Sequence, residues 1–280
     1  MNIKHKRIAF YGKGGIGKST IAANVSAVLS KIGKKVLHIG CDPKSDSTRI
    51  LMKRRIPTVL KTLKEKGDAL NKEDIMFTGV YGVTCVEAGG PEPGIGCAGM
   101  GISAVIETLE RLEVFDMDWD LIVYDVLGDV VCGGFSIPMR KQCVDAVYIV
   151  TSSEFMSLYA ANNILKGISH YETPQQKLFG GFIHNRWASK TDKAVVDHFI
   201  QMTESRLIAS IEQNQAIKMA EYERNTIIEA NPQAPISQVI ETLGKDLFRE
   251  PLASDSCPLD DEAMEALFDF VSAKNQEISR

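Results

Sequence analysis

The chain has 280 residues, 44% of them hydrophobic and 24% charged, with a formal net charge of -4. That composition suits a globular protein with a full core; it argues against non-specific nucleic-acid binding, which needs a basic face, and no apolar stretch is long enough to span a bilayer. Residues 1–7 are too charged for a secretory signal, so the expectation is a cytoplasmic protein with no membrane partner, whose six cysteines are mostly reduced and include no Cys-x-x-Cys pair.

Residues 7–11 read as a short buried strand rich in apolar and aromatic side chains. It runs into Gly12-Lys13-Gly14-Gly15-Ile16-Gly17-Lys18-Ser19, and residues 18–32 then read as a helix. Strand, glycine-rich loop and helix in that order are what a phosphate-binding loop requires. Glycines let the backbone curl until its N–H groups face phosphate oxygens, and the helix N-terminus adds partial positive charge. Lys18 is placed to neutralise the β and γ phosphates and Ser19 to ligate Mg²⁺, which predicts binding and hydrolysis of MgATP. Lys13 is a second lysine that the ordinary loop does not ask for; taken alone it reads equally as a solvated surface residue.

Residues 35–40 and 83–87 read as the next strands, and 103–112 as a helix. Cys41-Asp42-Pro43-Lys44-Ser45-Asp46 follows the first of these strands. A fourth strand, 121–125, leads into Asp125-Val126-Leu127-Gly128-Asp129. A carboxylate at the end of a parallel strand can hold Mg²⁺ through water, and Asp125 is the residue expected to do so. Gly128 would let the backbone sense the γ-phosphate. Asp42, Asp46 and Asp129 are candidates for metal contact or for orienting the attacking water, because positioning carries phosphoryl transfer. Helix capping is the alternative, most of all for Asp46.

Residues 146–151 and 179–184 complete the strands, with helices over 156–170 and 192–203. The last third is mostly helical, at 213–220, 236–247 and 260–273. Strand–helix alternation predicts the α/β fold of phosphate-loop NTPases: a mostly parallel sheet with helices on both faces, in a single domain over 1–280. Ligands on such sheets bind at the carboxyl ends of the strands.

Two cysteines have unusual neighbours. Cys97 ends a glycine- and proline-rich run from 89, and Cys132 precedes Gly133-Gly134. Backbone of that kind can approach an iron–sulfur cluster and donate N–H groups to sulfur. A 4Fe–4S cluster needs four thiolates; one chain offers two in such settings, and a symmetric dimer supplies four. On spacing alone, both serve equally well as small buried hydrophobes. Cys41, Cys85, Cys143 and Cys257 read as small hydrophobes.

The runs 12–20, 40–49, 85–99, 124–135 and 159–168 together resemble the nitrogenase iron protein family, densely from 7 to about 187 and more thinly after that. The loop, Lys13 and Thr20 included, also resembles the deviant phosphate loop of a wider dimeric ATPase group containing septum-positioning, plasmid-partition and arsenite-pump ATPases. What this resemblance implies is a homodimer in which Lys13 reaches the partner's nucleotide. It further implies one 4Fe–4S cluster per homodimer, held by Cys97 and Cys132 of both chains, and ATP-gated electron transfer into a larger metalloprotein. A low-potential ferredoxin or flavodoxin would be the electron donor. Asn185, in His184-Asn185-Arg186, would contact adenine; the alternative is a turn residue after a strand.

The chain departs from the family at Met100, where an arginine is usual. A thioether cannot make the charge-assisted contacts of a guanidinium. The receiver is therefore either a nitrogenase catalytic component or a nitrogenase-like reductase acting on a tetrapyrrole or a methylthio-alkane. Two other readings share the loop: a cluster-free partition-type ATPase, and a metal-carrier ATPase. The first gives Cys97 and Cys132 no role, and it tends to use a basic tail, whereas here Asp260, Asp261, Glu262 and Glu265 make residues 258–273 acidic.

Overall fold

The computed structural model describes residues 5–90, 98–128, 143–173, 175–249 and 253–278. Its strands are β1 (Lys6–Tyr11), β2 (Val36–Cys41), β3 (Phe77–Thr78), β4 (Thr84–Glu87), β5 (Leu121–Val126), β6 (Ala146–Thr151), β7 (Phe179–Trp187) and β8 (Leu207–Glu212). They form one sheet in the order β3-β4-β2-β5-β1-β6-β7-β8. Every pairing is parallel except the one between β3 and β4 at the edge. The helices are α1 (Lys18–Lys31), α2 (Arg49–Met52), α3 (Val59–Lys66), α4 (Ala98–Arg111), α5 (Phe155–Ser169), α6 (Lys190–Met202), α7 (Gln215–Tyr222), α8 (Ile227–Ala230), α9 (Pro235–Arg249) and α10 (Asp261–Ile278).

Strand alternation divides the core in two. Ala9 and Tyr11 of β1 pack with side chains of α4, α5, α6 and α10 on one face. Ile8 and Phe10 pack with α1, α8 and α9 on the other. The central strands β2, β5 and β6 are buried along their whole length, as parallel strands covered on both sides must be. The predicted fold is therefore the observed one, and the helices after residue 213 share out between both faces. Among the described residues no helix is long and apolar enough to cross a membrane.

The differences lie at the edges. β8 escaped the sequence reading because it is an edge strand whose first four residues are only half-buried, which blurs the alternation. α3 is short and lysine-rich, only eight residues long; Thr58 caps it, its hydroxyl accepting from the Lys61 N–H at 3.3 Å. β7 runs three residues past the predicted end, so Asn185 lies within a strand and not in a turn.

Candidate functional site

β1 lies between β5 and β6, and the loop after it crosses the carboxyl edge of the sheet. Gly17 forms the N-cap of α1 at φ 93°, a left-handed conformation that suits glycine, and no side chain caps the helix. The first N–H groups of α1 are thus left for an anion. A Cβ on Gly17 would run into the Asn185 amide. That amide is buried, and its Nδ2 donates to the Ile16 carbonyl at 2.7 Å, so the end of β7 braces the loop. Gly128, past the end of β5, lies hard against the same loop: a Cβ there would stand 2.7 Å from both the Gly14 nitrogen and the Lys13 carbonyl carbon. A loop displaced by phosphate has to push this backbone too.

Lys18 and Asp125 meet beneath the loop. Both are buried, and Lys18 Nζ sits 2.9 Å from Asp125 Oδ1. Burial works to raise the Asp125 pKa, but the Lys18 ammonium and hydrogen bonds with Ser19 and Ser47 hold the carboxyl below its ordinary value. The group is a buried carboxylate held ionised by the Lys18 ammonium. Burial pushes the Asp42 carboxyl up, against a 2.8 Å hydrogen bond from the Lys44 N–H and with Asp46 adding to the rise. Thr48, not Asp46, takes the N-cap of α2, which leaves Asp46 on the cleft wall. Ser47, which the sequence reading passed over, donates to Asp125 Oδ2 at 2.5 Å. Its only signal was its place in the segment after Asp46.

Two adjoining clefts open above the loop. One, of about 480 Å³, is bordered by Lys18, Ser19, Asp42, Asp46 and Gly128. The other, of about 1090 Å³, is bordered by Gly17, Asn185, Trp187, Gln213 and Tyr222, a size and lining suited to a nucleoside. Thr20 lines both clefts, and its hydroxyl hydrogen-bonds Glu221 of α7. The hydroxyl and carboxylate oxygens around the smaller cleft are hard donors, the chemistry that Mg²⁺ takes. Lys13 stands at the mouth of both, 3.8 Å from Glu154 Oε2, with both side chains open to solvent.

Cys97, Cys132 and Asp129 lie outside the described residues, and so do the surroundings of the Met100 side chain. Among the described residues no group of three or more His, Cys, Asp and Glu side chains could hold a metal ion. Cys41, Cys85 and Cys143 are buried, in keeping with their expected packing role; Cys257 is exposed, so the same reading does not hold for it. Its backbone, rather than its thiol, is engaged, donating to the Thr203 carbonyl at 2.8 Å.

Known proteins match this arrangement at two levels. In fold, the chain is similar to the MinD cell division protein of Aquifex aeolicus (TM-score 0.67, 21% identity, 88% of this chain and 97% of that one). It is likewise similar to a ParA family ATPase of Chlorobium tepidum TLS (TM-score 0.69, 20% identity, 87% and 99%). In sequence it is 48% identical over 266 residues to the nitrogenase iron protein of Methanospirillum hungatei JF-1, covering 94% of each chain. It is 46% identical over 263 residues to nitrogenase iron protein 2 of Methanothermobacter thermautotrophicus, covering 94% of this chain and 97% of that one. The family described as 4Fe-4S iron sulfur cluster binding proteins, NifH/frxC family, matches residues 6–273. The chain belongs to that family, the family of the nitrogenase iron proteins, whose members use a 4Fe–4S cluster and MgATP in an ATP-hydrolysing oxidoreductase component.

Proposed function

We propose that this chain works as a homodimer in which MgATP hydrolysis gates electron delivery into a larger metalloprotein, a nitrogenase catalytic component or a nitrogenase-like reductase. One cluster per dimer would be held by Cys97 and Cys132 of both subunits, with a low-potential ferredoxin or flavodoxin as donor. Bound there, a 4Fe–4S cluster supplies one-electron chemistry, with a potential set by hydrogen bonds to sulfur and by exposure. All these parts sit in one domain over 1–280.

The observation that carries the reading is the short reach between the two halves of the site. Asp125 lies one residue before the end of β5 at Val126, beneath the phosphate loop, and Cys132 follows seven residues later. That length spans at most about 25 Å even fully extended. Lys18 gives up Asp125 for the β and γ phosphates, and Asp125 with Ser19 turns to Mg²⁺. Gly128 takes up the movement of the loop against which it lies. Asp42 and Asp46, with Asp129, orient water and metal, and Asn185 reads the adenine side of the larger cleft. Among the described residues Lys13 pairs with the solvent-exposed Glu154, and a pair of that kind is worth about 0–1 kcal/mol, so it leaves Lys13 able to reach a nucleotide across the dimer.

Anaerobic purification with iron and sulfide assay, followed by chelator access with and without MgATP, tests the reading. The expected result is about four irons per dimer, extracted faster when MgATP is present. A metal-free dimer would instead be a partition-type ATPase, and a single bound ion would mark a metal carrier. Acetylene reduction on mixing with a nitrogenase catalytic component tests the partner.

A further inference from the structure

Three parallel strands end side by side on the face covered by α1. Their register sets Glu87 of β4, Gly40 of β2 and Asp125 of β5 in one row. The middle position has no side chain, and a Cβ there would stand 2.6 Å from Ser47 Cβ and 2.8 Å from Glu87 Cδ. Ser47 fills that gap from above and is itself buried. Its hydroxyl donates to Asp125 Oδ2 and lies 2.9 Å from Nε2 of His38, one step back along the same face of β2.

His38 is fully buried, and its Nδ1 lies 2.9 Å from the Ser26 hydroxyl of α1. Ser47 has one proton and gives it to Asp125. The His38 Nε2–H must then donate to Ser47, while Nδ1 faces a Ser26 hydroxyl whose one proton is also within reach of the Ala22 carbonyl at 3.0 Å. The geometry thus requires the imidazole to carry a proton at Nε2. Burial, which lowers the His38 pKa to about 4 despite the charge of Asp125, keeps it neutral. The next residue is held too: the Thr48 N–H and hydroxyl both donate to Glu87 Oε1, at 2.7 and 2.8 Å. Residues 47 and 48 are thus fastened to the sheet, at the end of the segment that carries Asp42 and Asp46.

We propose that His38 is a positioning residue for metal–nucleotide binding: by fixing the Ser47 hydroxyl as a donor to Asp125, it keeps that carboxylate aimed at the metal when Lys18 turns to the phosphates. The inference rests on the MgATP reading above. A hydrogen-bonded histidine that only filled the core would leave the metal dependence of binding untouched.

The test is ATP affinity of the full-length, anaerobically purified protein, measured by equilibrium dialysis with and without Mg²⁺. His38→Leu keeps the volume apolar and removes the donor; His38→Gln restores an N–H at about the Nε2 position. In His38→Leu the gain in ATP affinity from Mg²⁺ should fall about tenfold, the loss expected for one hydrogen bond to a charged group's partner, with Mg²⁺-free affinity unchanged. His38→Gln should recover most of the gain. Ser47→Ala breaks the same link with a smaller change and should reproduce the loss if the leucine variant does not fold. The role of His38 is overturned if His38→Leu and Ser47→Ala keep the wild-type gain, if they lose Mg²⁺-free affinity equally, or if His38→Gln is no better than His38→Leu. A wild-type protein that binds no MgATP overturns the proposed function as well.

Discussion

Asp125 and Glu87 stand two strands apart on one face of the sheet, yet their surroundings drive them in opposite directions. Asp125 has an ammonium and two hydroxyls and stays ionised. Glu87 Oε1 takes two bonds from Thr48, while Oε2 is buried without a hydrogen-bond partner. Burial carries the Glu87 pKa up to about 7 from 4.5, against the Thr48 hydrogen bonds and with Asp125 and Asp46 adding to the rise. The folded state then binds more protons than the unfolded state between those two values, so the contribution of Glu87 to stability declines as pH rises from about 4.5 to about 7. Glu87→Gln should therefore be more stable relative to wild type at pH 8 than at pH 5, by on the order of 3 kcal/mol, read from denaturant midpoints. Asp125→Asn leaves Lys18 buried without a counter-charge and should cost about 3–5 kcal/mol in the nucleotide-free protein, read the same way. Neither environment is legible in the sequence. The Asp125 motif names the residue, but whether a strand-end carboxylate is ionised depends on what the other strands bring beside it.

At the scale of elements, the phosphate loop is braced from three directions: by α1 behind it, by Asn185 at the end of β7 and by the backbone at Gly128 after β5. Gly128→Ala drives a methyl into the loop and should lower ATP affinity more than tenfold, measured by dialysis, because loop and β5 end must part before phosphate can enter. α1 is also covered from outside by α9, where Leu243 is buried in the same core as Val25 and Val28. Leu243→Ala should cost about 2–5 kcal/mol by opening a cavity, while a protein that remains folded keeps its ATP affinity. Strand–loop–helix order was readable in the sequence because it is local. β8 was not, since an edge strand with half-buried residues lacks a clean alternation, and the turn alternative for Asn185 fails because pairing with β8 extends β7 beyond its apolar run.

At the scale of the whole molecule, the proposed function makes the site half of a dimeric assembly. Each chain brings two glycine-flanked cysteines where a cluster needs four thiolates, and among the described residues Lys13 makes a loose contact with Glu154. Cys97→Ser and Cys132→Ser should each reduce iron to less than one per dimer while ATP binding persists, read by metal analysis and dialysis on the same sample. Lys13→Ala should weaken ATP binding to the dimer about tenfold, whereas Glu154→Ala should leave it within about twofold, because the exposed in-chain pair contributes little. Equal effects from the two substitutions would confine Lys13 to its own subunit.

The order of the chain alone determined the phosphate loop, the parallel core strands, the four aspartates and the two glycine-flanked cysteines. Each of these is written in contiguous residues, where backbone freedom and hydrophobic period act locally. Only the tertiary structure decided that Ser47 drops into the gap at Gly40, that His38 stands beneath it and that Glu87 lies beside it. Those contacts arise from the register of β4, β2 and β5, strands that come from distant parts of the chain. A hydrogen bond or a shifted pKa depends on distance in space, and no spacing along the sequence records it. The loop announces that a nucleotide binds; the packed row of strand ends behind it determines which groups hold the Asp125 carboxylate.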